Sequence, residues 1–143
     1  MAQVNIPLLR ERAREIREQV DKIRRYASLP DEEFLADERN LYTVLHLMLI
    51  SIEATAAICN HLLAKLARKA PESYAECFEH LAEMGIISGE LASRLVQMSR
   101  FRNLLVHRYW TVEPQRVLQI ARTNLGDFEE FLRQVGGWLR EKV

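Results

Sequence analysis

Apolar residues return every three or four positions from Leu9 to Leu139, and no segment alternates apolar and polar side chains over the length of a strand. That period matches the 3.6-residue turn of an α-helix, so the chain is confined to an all-α fold. The strongest segment spans residues 41 to 66, where Leu41, Leu45, Met48, Ile52, Ala56, Cys59, Leu63 and Leu66 leave little of the circumference polar. A helix apolar nearly all round belongs in the middle of a bundle. Ser51, Glu53, Asn60 and His61 interrupt it, so no uninterrupted apolar run of about 18 residues exists and no membrane association is expected.

The flanking segments read as helices packed around that centre. Leu9, Ala13, Ile16, Val20, Ile23 and Ala27 form one stripe of a helix from about Pro7 to Ala27, and Ser28-Leu29-Pro30-Asp31 breaks it. Asp31, Glu32 and Glu33 suit the positive start of a short helix carrying Phe34 and Leu35. Pro71 stops the long helix, Ser73 and Glu76 have capping-box spacing, and Gly85 closes the helix they start, with Tyr74, Phe78, Leu81 and Ala82 inward. Ser88 then caps a helix carrying Leu91, Leu95, Met98, Leu105 and Trp110 inward until Thr111 and Pro114 end it. Val117 to Leu139 reads as one final helix, weakened near its end by Gly136-Gly137. The expectation is an up-and-down bundle of about five main helices forming a single domain over residues 1–143, a length sufficient for one core.

Cys59 and Cys77 are too few for a disulfide scaffold and lack CxxC spacing, so two reduced, buried thiols are expected. No charged, apolar leader opens the sequence, and a cytoplasmic protein is expected. Twenty basic and twenty acidic residues cancel, which leaves no global field to draw the protein onto a polyanion. Between Arg94 and Arg122, however, Arg94, Arg100, Arg102, Arg108, Arg116 and Arg122 face only Glu113. An ordinary solvated helix surface would account for this, but arginine at all six positions offers the planar fork that suits phosphate.

Within that stretch lies SRFRNLLVHRYW, residues 99 to 110. Asn103 and His107 are four apart and share a helical face; Arg102 and Tyr109, seven apart, are expected on an adjoining one. Arg102 and His107 sit about 140° apart around an ideal helix. They share a site only if the arginine wraps around or a two-fold partner supplies a second copy, so a homodimer with the site in its cleft is expected. His46, His61 and His80 read as structural. His107 differs in its company: histidine moves a proton near neutral pH, and arginine neutralises a phosphorane-like charge without titrating. Such a pair supports metal-free RNA cleavage by the ribose 2′-hydroxyl, with no cofactor and no metal ligands. Arg100, Asn103 and Arg108 would hold phosphate, and Glu53 could pair with an arginine of this helix to orient it. No phosphate loop or nucleophile elbow is present, and a dinuclear metal bundle lacks its duplicated Glu-x-x-His pairs.

The string RNLLVHRY resembles the R-x4-H-x-Y pattern of the HEPN superfamily, in particular the HepT toxins of HepT/MntA toxin-antitoxin pairs. The segments SLPDEEFLADERNLYTVLHLMLISIEATAAICNHLLA and PESYAECFEHLAEMGIIS extend the similarity over nearly the whole chain. The resemblance implies a homodimeric, metal-independent endoribonuclease with Arg102 and His107 as its catalytic pair and Asn103 as the polar residue after the arginine. It also implies an MntA-like nucleotidyltransferase partner, which silences the toxin by transferring AMP to Tyr109, in a complex that could be a larger hetero-oligomer. A noncatalytic HEPN module that docks such a partner, or binds a nucleotide, is the alternative.

Overall fold

Asn5 opens the first helix, its side-chain oxygen accepting from the Leu8 amide at 3.1 Å with Pro7 in the first turn. In the computed structural model, which describes residues 3–142, this helix, α1, runs Ile6–Ala27 and buries Leu9, Ile16, Val20, Ile23 and Ala27. The short α2 (Asp31–Ala36) turns Phe34 inward behind its three leading carboxylates. Asp37 caps α3 (Glu38–Leu66) through the Arg39 amide at 3.0 Å. As its all-round apolar pattern predicts, α3 is central and touches every other α-helix. Its buried hydroxyls are satisfied within the helix, Ser51 donating to the Leu47 carbonyl and Thr55 to that of Ser51, both at 2.8 Å. By length and composition α3 could cross a bilayer, yet more than half of its most apolar window is buried inside the bundle.

Helix α4 (Tyr74–Glu83) starts at Ser73, whose hydroxyl accepts from the Glu76 amide at 3.1 Å. The capping box is displaced by one residue, because Glu76 reaches back to the Glu72 amide at 3.3 Å rather than to Ser73. Gly85 closes the turn at φ 75°, a conformation that glycine alone adopts without strain. Ser88 then caps α5 (Gly89–His107) through the Leu91 amide at 3.1 Å.

Two boundaries differ from the periodicity. Helix α5 ends at His107 and does not continue to Trp110: Arg108 leaves the helical region at φ −145°, ψ 41°, and Tyr109–Thr111 form a 3-10 turn. Aromatic and β-branched residues lose rotamer freedom in a helix, the Thr111 hydroxyl competes for the Arg108 carbonyl at 2.8 Å, and Pro114 requires extended backbone at Glu113. Trp110, expected inward, is therefore 69% exposed. The final helix is in fact two, α6 (Pro114–Thr123) and α7 (Gly126–Lys142), with the corner at Asn124 and Leu125. Leu125 is buried at that corner, so the apolar rhythm runs straight through the break.

Cys59 and Cys77 are fully buried, as expected, but they are disulfide-bonded rather than free, which corrects the reading of two reduced thiols. The packing of α4 against α3 brings their Cα atoms to 6.2 Å, inside the span a disulfide bridges, a proximity that two isolated cysteines eighteen residues apart do not reveal.

Helix α7 runs unbroken through Gly136 and Gly137. A Cβ at either would meet only the Arg140 guanidinium, at 3.5 and 4.0 Å respectively. Gly136→Ala and Gly137→Ala are each expected to stabilise the fold by about 1 kcal/mol through lost unfolded-state freedom. Thermal melting of the two single variants checks this; a lowered Tm would mean that the added methyl is not accommodated.

Candidate functional site

The last two turns of α5 carry Arg102, Asn103 and His107 on one helix end, and neighbouring helices fix the arginine. Its Nη2 donates to Glu53 Oε1 of α3 at 3.3 Å, and its Nη1 donates to Asn103 Oδ1 at 3.3 Å. The guanidinium carbon lies 4.9 Å from the ring centroid of Tyr74, the first residue of α4. Three helices therefore hold one side chain, which is 24% exposed against 47% for Glu53. Stacking on Tyr74 fixes the plane of the guanidinium while leaving its edge available for in-plane hydrogen bonds. The Arg102 Nε is buried and has no hydrogen-bond partner among the described residues.

Arg102 bonds the side chain of the adjacent Asn103, which lies one turn before His107 on the same face. His107 is exposed as the last helical residue, and its side chain makes no hydrogen bond among the described residues. Tyr109 lies in the 3-10 turn, so it does not continue the helical face of Arg102 as the seven-residue spacing predicts. It is 51% exposed and packs edge-on to Trp110, ring centroids 5.4 Å apart. Val106, 41% exposed, adds a third apolar side chain to this end of the molecule.

The arginine excess is not one patch. Arg122 donates to the Ala27 and Leu29 carbonyls at 3.0 and 2.8 Å and pairs with Asp31 at 2.6 Å, tying α6 to the end of α1. Arg94 pairs with Asp127 at 2.8 Å and with Glu90 at 3.2 Å; the hydrogen bond to Asp127 is the main cause that raises its pKa. Both are structural. Arg116 lies with Met98 and Phe101 in a groove between α5 and α6. Arg100 lines a different groove, with Glu79 and Ser93 between α4 and α5, about 200° around the helix from Arg102. Arg108 is exposed at the helix end beside His107.

Of the three histidines read as structural, His61 and His80 have side-chain partners, whereas His46 is exposed on α3 and makes no hydrogen bond among the described residues. His61 accepts the Asn5 amide at 2.9 Å, and burial, with Lys65 nearby, lowers its pKa; it ties the start of α1 to α3. His80 lies 3.2 Å from Glu76 and 3.3 Å from Glu83. Tyr74 is the site residue that the sequence does not single out. Its helical position reads as core, and only the packing of α4 beside α5 places it under Arg102.

Residues 16–135 match the family model described as Ribonuclease HepT-like. The chain is 30% identical over 123 residues to the tRNA nuclease HepT of Aphanizomenon flos-aquae, an alignment covering 84% of this chain and 82% of that protein. It is 31% identical over 80 residues to the mRNA nuclease HepT of Shewanella oneidensis, covering 56% and 60% respectively. In fold it superposes with a TM-score of 0.84 on the tri-AMPylated HEPN toxin of Shewanella oneidensis solved in complex with MNT antitoxin, at 23% identity over 91% of this chain and 97% of that one.

Proposed function

From the premise that this chain belongs to the HepT-like ribonuclease family, we propose that it is a cytoplasmic, metal-independent endoribonuclease toxin whose catalytic pair is Arg102 and His107. The observation that carries this reading is the arginine held by Glu53, Asn103 and Tyr74 on the same helix that ends in the exposed His107. His107 takes the proton of a ribose 2′-hydroxyl, and the O2′–P bond forms while the P–O5′ bond breaks. The products are a 2′,3′-cyclic phosphate and a 5′-hydroxyl, the leaving oxygen being protonated by a second acid. Arg102 neutralises the charge that develops on the non-bridging oxygens, and Asn103 donates to them. Arg108 and, farther along the RNA, Arg100 bind flanking phosphates without touching the reacting atoms.

In a single protomer the pair sits on an open helix end, and the apolar side chains of Val106, Tyr109 and Trp110 surround it exposed. A two-fold homodimer that covers Val106 and Trp110 while leaving the Tyr109 hydroxyl open would set His107 of one protomer beside Arg102 of the other, closing a cleft and supplying the second acid. The relative solved with its MNT antitoxin supports a nucleotidyltransferase partner, with Tyr109 as the acceptor of AMP. The test is cleavage of total RNA by the purified protein in EDTA: metal-free cleavage that His107→Ala abolishes supports the reading. Absence of cleavage by wild type with Tyr109 shown bare by mass spectrometry overturns it in favour of a noncatalytic docking module.

Glu53 and Tyr74 act through Arg102 as positioning residues. Tyr74→Ala is expected to lower kcat about fivefold, the equivalent of about 1 kcal/mol of cation–π stacking, whereas Tyr74→Phe keeps the ring and the rate. A single-turnover assay on a labelled oligoribonucleotide separates this from lost stability; equal rates for both variants and wild type would remove Tyr74 from the site.

A further inference from the structure

The seam between α1 and α7, which shares no residue with Arg102, His107 or their partners, holds a groove of about 780 Å³ open over Ile58 of α3. Leu9, Leu132, Val135 and Leu139 complete its apolar floor. Arg10, Arg14, Arg17 and Arg140 stand along it. Glu11 and Glu18 engage Arg14, but Arg10, Arg17 and Arg140 make no ion pair among the described residues. A second groove of about 430 Å³ shares Arg17, Leu132 and Arg140 with the first and carries the cleft on to Arg24, where the Arg24–Glu129 pair closes it. From Ile6 to Arg24 the cleft follows α1 for about 27 Å.

We propose that this seam docks an acidic amphipathic helix of a partner protein, the apolar face of that helix lying on the aliphatic floor and its carboxylates on Arg10, Arg17 and Arg140. The charge selects the occupant. Arg10 and Arg17 are seven apart on one face of α1, about 10 Å along its axis, which matches carboxylates spaced seven residues apart on a visiting helix. A second copy of this chain docking here about a two-fold axis would set the same three unpaired cations against themselves. Single-stranded nucleic acid uses aromatic platforms, and no aromatic side chain lines either groove. The length of the cleft fits a helix of about 18 residues better than a small anion. Gly136 lies at the edge of the floor, where the missing side chain lets a partner backbone approach α7 closely.

The experiment is fluorescence anisotropy of a labelled, stapled helix of about 18 residues, leucine on one face and glutamate on the rest, against the full-length protein, with a scrambled isomer as control. The patterned helix is expected to bind, to weaken as salt rises, and to lose about tenfold or more in affinity to Arg10→Glu, Arg17→Glu and Arg140→Glu. Gly136→Leu, which fills the floor with a better helix former, is expected to abolish binding with the melting temperature maintained. Failure of the patterned helix to bind, equal binding of the scrambled isomer, or undiminished binding to the arginine variants overturns the proposal. So does displacement by polyuridine, or a charge reversal that changes the oligomeric state of the free protein, since either would give the seam a different occupant. RNA cleavage by the same arginine variants is expected to equal that of wild type, which keeps the seam separate from the ribonuclease reading.

Discussion

Arg102→Ala and His107→Ala are each expected to cut metal-free RNA cleavage by about 10²–10⁴-fold while leaving the melting temperature near that of wild type. The size of the loss follows from the roles: a general base and a pre-positioned cation each act on charge or protons that exist only in the transition state. Stability should survive because His107 is exposed and makes no side-chain hydrogen bond among the described residues, while removing Arg102 leaves Glu53 about half-exposed to water rather than a buried, unpaired charge. Arg102→Lys discriminates further. It keeps the charge but loses both the stack on Tyr74 and the fork that spans Glu53 and Asn103, so most of the loss should persist. The measurement is the rate of cleavage of a labelled oligoribonucleotide in EDTA, with cyclic-phosphate ends identified in the product. Cleavage undiminished in His107→Ala would remove that residue from the mechanism.

Legibility in the sequence followed the range over which each signal acts. The stripe of α1, the all-round apolarity of α3 and the serine caps before α4 and α5 are local, and each appears where the residues predict it. The break at Asn124 escaped because Leu125 and Phe128 both turn inward, so burial continues across a corner where helical geometry does not. Tyr109 escaped its expected face for a related reason: spacing assumes that the helix persists, and Arg108 ends it. The proximities that matter most at the site are tertiary. Glu53, as a carboxylate interrupting an apolar helix, is legible as a partner for an arginine of α5 and does pair with Arg102, but Tyr74, 28 positions before Arg102, has no motif to join it. The arginine count misled in the opposite direction, since Arg94 and Arg122 are consumed by Asp127, Asp31 and backbone carbonyls that only the fold brings within reach.

Incubation with ATP and the cognate nucleotidyltransferase is expected to silence the wild-type protein and to leave Tyr109→Phe fully active. The phenol is well placed for this: half-exposed in a three-residue turn outside the helix, it can enter a second active site without unfolding α5. In the proposed transfer, the Tyr109 oxygen would form a bond to the α-phosphorus of ATP, pyrophosphate would leave, and the phenolic proton would be lost. The proposed product would set a phosphodiester anion and a nucleoside two residues from His107, where they would compete with RNA for Arg102 by charge and by volume. Residual activity should therefore fall in proportion to the modified fraction seen by mass spectrometry, down to the level of His107→Ala. Tyr109→Phe retains the ring that packs on Trp110 and removes only the nucleophilic oxygen, so its cleavage before incubation should equal that of wild type. Silencing of Tyr109→Phe by the active transferase would place the modification elsewhere. Silencing of wild type in the absence of ATP would instead make the partner a steric plug, and the chemistry at Tyr109 dispensable for inhibition.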